Sequence, residues 1–120
     1  MLTRIKRFNQ DQEYYFKEGC FIVEVSNSSD DPDVSIVRAR VEAGSSTRWH
    51  WLLETCERYV ILAGEGLVEV AEDEPCKVAS GDVVIIPAAA KQRITNIGAS
   101  DLTFLAICTP RFKPTNYHSE

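Results

Sequence analysis

The chain has 120 residues, 44% hydrophobic and 26% charged, with 13 Lys and Arg against 18 Asp and Glu for a formal charge of −5. That length suits one domain with a single core and is too short for two, and the acidic balance supplies no basic field for a phosphate backbone, so nucleic acid is not an expected partner. No apolar run approaches the roughly 18 residues of a membrane helix, and residues 1–10 are basic with no apolar stretch after them, so no membrane partner is expected and a cytoplasmic location is.

Period-two alternation and β-branched runs cut by turn residues predict strands at 20–25, 34–41, 47–52, 58–62, 67–71, 83–86, 92–96 and 102–108. Between the first two lies a polar loop, Asn27-Ser28-Ser29-Asp30-Asp31-Pro32. Gly64-Glu65-Gly66 and Ser80-Gly81-Asp82 supply the φ > 0 positions of tight hairpins. Short strands throughout, with no convincing helix, predict an all-β fold, a sandwich or barrel. Residues 109–120 carry two prolines and little alternation, the pattern of a packed-down or frayed extension. Cys20, Cys56, Cys76 and Cys108 form no CxxC pair and lack the density of a disulfide scaffold, so reduced thiols are expected and a zinc ribbon is excluded.

Strand parity sorts the polar residues. His50 and Leu52 share one face while Trp49 and Trp51 share the other; Glu57, Tyr59 and Ile61 fall together, as do Gln92, Ile94 and Asn96. Taken singly, each has a plain reading: His50 as a satisfied or exposed histidine, Glu57 as a solvated charge, Gln92 as a hydrogen-bonding amide, Asn96 as a strand-end hydrogen-bonder. Arg48 lies on the His50 face by parity, where it would bind an anion at the mouth or stand as an ordinary surface arginine. Cys108 ends the last strand, as a pocket residue or as a small buried hydrophobe. Two outward tryptophans make an apolar patch that needs cover, from a second copy or from residues 1–25; a homodimer is expected.

Two spaced patterns tie these residues together. The first is Gly44-x5-His50-x-Leu52-x4-Glu57-x6-Gly64, and the second is Gly81-x5-Pro87-x-Ala89-x2-Gln92-x3-Asn96. They resemble the two motifs of the cupin superfamily, G-x5-H-x-H-x3-4-E-x6-G and G-x5-P-x-G-x2-H-x3-N, with Leu52 and Gln92 standing where histidines belong and Ala89 where a glycine belongs. The resemblance covers roughly residues 35–108. It implies a single-domain antiparallel β-barrel, the double-stranded β-helix or jelly roll, with the His50 face inward.

It also implies a site. His50, Glu57 and Gln92 would hold a divalent metal, zinc, manganese, iron or nickel, weakly or not at all given the reduced ligand set. Arg48, Leu52, Tyr59, Ile94 and Cys108 would line the pocket. The implied activity is a metal-dependent enzyme acting on a small organic molecule with dioxygenase-like or isomerase-like chemistry. The alternative is a non-catalytic small-molecule-binding module without metal, and fold alone does not choose between them.

Overall fold

Alternation along the chain becomes eleven strands in the computed structural model, which describes residues 3–120. In chain order these are β1 Tyr14–Phe16, β2 Cys20–Ser26, β3 Ser35–Val41, β4 His50–Leu52, β5 Cys56–Ala63, β6 Glu65–Val70, β7 Cys76–Ala79, β8 Val83–Ile86, β9 Gln92–Asn96, β10 Leu102–Thr109 and β11 Tyr117–Ser119. They form two antiparallel sheets, β1-β2-β3-β10-β5-β8 and β11-β4-β9-β6-β7. This is the expected all-β barrel.

β5 shows how the pattern builds the core. Its residues Glu57, Tyr59 and Ile61 are buried and alternate with half-buried Arg58 and Val60, as a strand with one core face requires. β10 is the axis of the larger sheet, where Phe104 sits opposite Ala39 of β3 and Ile61 of β5. From both sheets the inner side chains meet in one core that includes Ile22, Val41, Tyr59, Ile61, Ile94 and Phe104.

The turns are specific about their residues. Gly64 ends β5 with φ +88°, as the hairpin reading requires, but Gly66 lies within β6 and serves differently. A Cβ there would stand 3.1 Å from both Ile94 and Leu102, so this glycine lets two core side chains close over the strand. Ala89 occupies a motif glycine position and keeps the glycine conformation, φ +70°, at a cost of roughly 1–2 kcal/mol for an L side chain. Asn96 closes the next turn by donating to the carbonyls of Val41 and Ser100 and accepting from the Gly98 N–H.

Three strands were not expected. β7 is exposed along nearly its whole length, so it carries no alternation to find. β1 and β11 are three-residue strands, too short to show alternation, and β11 pairs with the distant β4. The expected strand 47–52 shortens to β4: Thr47 still bonds the Ile94 carbonyl of β9, but the Arg48 N–H goes to the Glu18 carbonyl and breaks the run. The C-terminal extension is packed down: β11 pairs with β4, Tyr117 opposite Leu52.

That tail changes the account of the tryptophans. The Trp51 ring stacks on His118 at 5.9 Å and lies under the Lys91 ammonium. Trp49 lies under the Arg93 guanidinium, and its carbonyl accepts from the N–H of Glu120. Both tryptophans are half-buried by the chain itself, with cover from Lys91, Arg93 and the C-terminal tail in place of the expected N-terminal segment. Among the described residues no helix is long and apolar enough to cross a membrane.

Candidate functional site

The two sheets enclose a cavity whose chemistry is set by β4, β5, the β1–β2 turn and the tail. His50 of β4 lies directly opposite Gln92 of β9 in the register, and its ring is almost wholly buried. Nδ1 is 2.6 Å from the carbonyl oxygen of Arg48. A carbonyl only accepts, so Nδ1 carries the proton and Nε2 presents a lone pair to the cavity. Burial holds His50 below the usual imidazole range, against the opposing pull of the Arg48 carbonyl and the Glu57 charge.

Glu57 reaches the cavity from the opposite sheet. Its Oε1 accepts from Gln92 Nε2 at 2.8 Å, and Tyr59 donates its hydroxyl to Gln92 Oε1, so three buried side chains lock one another. Its Oε2 has only the weak Cys108 thiol donor, at 3.9 Å. Burial, then the neighbouring charge of Glu18, pushes the Glu57 carboxyl up to about 7.

Glu18 is the residue that sequence reading missed. It sits in the turn joining β1 to β2, where Gly19 adopts φ +104° and returns its N–H to the Phe16 carbonyl. The Glu18 carbonyl accepts from the Arg48 N–H at 2.6 Å, fixing the turn over the end of the barrel. One carboxylate oxygen then lies 3.5 Å from His50 Nε2. Burial pushes this carboxyl up to about 7, with the Cys20 thiol pulling the other way. A Glu before a Gly reads only as turn chemistry, and nothing local reports the barrel mouth it covers.

The other expected positions divide. Leu52, Tyr59 and Cys108 line the cavity, joined by Phe16 and Tyr117, whose ring stacks on His50 at 5.6 Å. Ile94 instead goes into the main core. Arg48 is corrected: its side chain is exposed and donates to the Glu120 carbonyl, because its backbone has left the strand ladder and the parity rule no longer aims it. Gln92 is buried behind Glu57, with both amide atoms committed.

That commitment bears on the metal. Of the three ligands the motif implies, His50 Nε2 and a Glu57 oxygen face the cavity, whereas the Gln92 oxygen is taken by Tyr59. Among the described residues no three His, Cys, Asp or Glu side chains stand where they would hold one ion. As placed, the donor set does not fit a metal centre.

The raised carboxyls have a measurable consequence. Glu18 and Glu57 hold protons more tightly folded than unfolded, so from about 4.5 to about 7 the native state carries protons that the unfolded chain has lost. Their contribution is fully present below the lower value and is lost as pH rises through the upper one. His50, with its folded value depressed from 6.5, works oppositely: its contribution is present above 6.5 and lost as pH falls. Two carboxyls outweigh one imidazole. Tm should therefore fall between pH 5 and 7.5 by about 4 °C or more, the shift that ~1 kcal/mol makes in a small domain. Glu18→Gln should flatten the fall, since it also removes the charge that raises Glu57. Differential scanning calorimetry reads this, and a Tm that rises across the window would contradict the burial of these groups.

Comparison with known proteins places the chain. The family model described as Cupin domain matches residues 37–108. The uncharacterized protein MJ1618 of Methanocaldococcus jannaschii is 31% identical over 107 residues, covering 88% of this chain and 85% of that one. Among solved structures, the nucleoside dehydratase Pac13 of Streptomyces superposes with TM-score 0.77 at 15% identity, over 95% of this chain and 89% of that one. KdgF from Halomonas sp. gives 0.75 at 19% identity, over 88% and 94%.

Proposed function

Since the chain belongs to the cupin family, whose fold carries many reactions, we propose that its cavity is a small-molecule site working by proton transfer, with Glu18 and His50 as the acid–base pair. The observation that carries this is the 3.5 Å approach of Glu18 to His50 Nε2 inside the barrel. His50 enters as the base, its tautomer set by the Arg48 carbonyl. Glu18, with its carboxyl pushed up to about 7, is half protonated near neutrality and serves as the acid. Glu57, held by Gln92 and Tyr59, is the fixed acceptor that orients the ligand.

The reactions this pair suits are isomerisation or loss of water next to a carbonyl. In both, one group takes a proton from carbon and another delivers one to oxygen. The structurally similar Pac13 is a dehydratase, and dehydration is itself acid–base chemistry.

The test is a panel of small hydroxycarbonyl compounds incubated in D2O and followed by NMR. The proton-transfer reading expects turnover or solvent deuterium uptake that survives a chelator and drops by ~100-fold or more in Glu18→Gln and in His50→Gln. Turnover that requires added zinc, manganese, iron or nickel would overturn it in favour of the metal-dependent enzyme. Binding without turnover, indifferent to a chelator, would make the chain a non-catalytic binding module.

A further inference from the structure

The polar atoms facing the cavity are rich in acceptors. His50 Nε2 offers a lone pair, Glu57 Oε2 has only a thiol beside it, and Glu18 adds a second carboxylate. The hydroxyl of Tyr117, a cavity-lining residue, is buried and has no hydrogen-bond partner. Two of the donors are already spent: Tyr59 gives its proton to Gln92, and Gln92 gives its own to Glu57.

Charge follows the same pattern. Glu18, Glu24 and Glu57 line the cavity and no Lys or Arg does. The cations nearby are turned elsewhere. Arg48 donates to the Glu120 carbonyl, Arg40 pairs with Glu13, and Lys17 lies over the Tyr117 ring without lining the cavity. A buried carboxylate without a countercharge is costly, and so is an unpartnered buried hydroxyl. A ligand bringing both N–H donors and a positive charge relieves the two at once.

The walls agree with that chemistry. Phe16, Tyr59, Phe104, Phe112 and Tyr117 contribute aromatic rings to the lining, and ring faces attract cations in a desolvated site. The cavity offers about 60 Å³, room for on the order of five water-sized groups at ~10–15 Å³ each. An anionic ligand meets the wrong charge here, and the inner space suits a short one.

We propose that the cavity binds a short-chain protonated amine, its ammonium group held by the Glu57 carboxylate and the Tyr117 hydroxyl against the aromatic wall. This names the ligand class for the proton-transfer site above and rests on that reading. Glu57 anchors the cation by charge-assisted hydrogen bonds while Glu18 and His50 stay at the mouth for the proton.

Calorimetric titration of the full chain at pH 7.5, with a chelator present, tests it with three probes of one size: n-propylammonium, 1-propanol and propionate. The ammonium should bind at least tenfold more tightly than the alcohol, and propionate should give no heat. Glu57→Gln, nearly the same shape, should lower the ammonium affinity tenfold or more. The wild-type ranking of the three probes needs no variant, so a misfolded mutant does not blunt the test. Propanol or propionate binding as well as the ammonium, no heat from any probe, or an unchanged Glu57→Gln would each overturn the amine. If propanol binds and the deuterium uptake described above still depends on His50, the proton-transfer site stands and only its ligand class falls.

Discussion

Phe104→Ala should destabilise the domain by ~3–5 kcal/mol, the range for truncating a large aromatic in a packed core. Phe104 is 2% exposed and lies on β10, the strand paired along its length with both β3 and β5. Its ring centroid is 4.5 Å from that of Tyr59, so the truncation leaves a void that neither neighbouring strand can close without breaking its ladder. The loss extends to the site, because Tyr59 holds the Gln92 amide that fixes Glu57. Urea unfolding reads the effect as a fall in the midpoint at constant m. A loss below ~1 kcal/mol would show that the core collapses onto the void and that Phe104 is not its centre.

Two motif glycines should respond unequally to alanine. Both have φ > 0, +88° at Gly64 and +78° at Gly44, so each substitution costs roughly 1–2 kcal/mol in backbone strain. At Gly44 a Cβ meets nothing within 4 Å, and the strain is the whole cost. At Gly64 it stands 2.6 Å from the Asp101 carbonyl oxygen and 2.9 Å from the Leu102 Cα. Those are backbone atoms at the start of β10, and they have no rotamer to escape into. Adding ~1–3 kcal/mol for overpacking, Gly64→Ala should lose about 3 kcal/mol or more while Gly44→Ala loses about 1. Parallel denaturant melts of the two variants decide it. Equal losses would mean that backbone strain alone governs both positions.

The strands and the grouping of residues by face were legible from period two, and the motif resemblance turned the His50 face inward. Wherever a strand has one wet face and one buried face, register is forced, since a slip of one residue would exchange the two. That rule put His50 with Leu52, Glu57 with Tyr59 and Ile61, and Gln92 with Ile94 and Asn96, all now buried. It failed where a segment is not in a ladder. Arg48, two residues before His50, has its N–H bonded to the Glu18 carbonyl, and its side chain swings out to Glu120. It also had little to read in β7, where only Val78 turns toward the core.

The motif resemblance implied which faces turn inward and that Glu57 and Gln92 meet there; by itself, the amino-acid sequence determined the all-β class and which residues of each long strand share a face. These are local consequences of side-chain alternation and of glycines at turns. Only the tertiary structure decided the occupants and electrical character of the cavity. Glu18 arrives from a turn near the start of the chain, and Tyr117 from its last strand. The same tail stacks on Trp51 and bonds the Trp49 carbonyl. Contacts between residues 18, 50 and 117 have no period and no spacing to betray them, because they arise from chain ends folding back over a barrel mouth. The two raised carboxyls depend on burial for their shifts. Burial is a property of everything packed around a group, not of its neighbours along the chain.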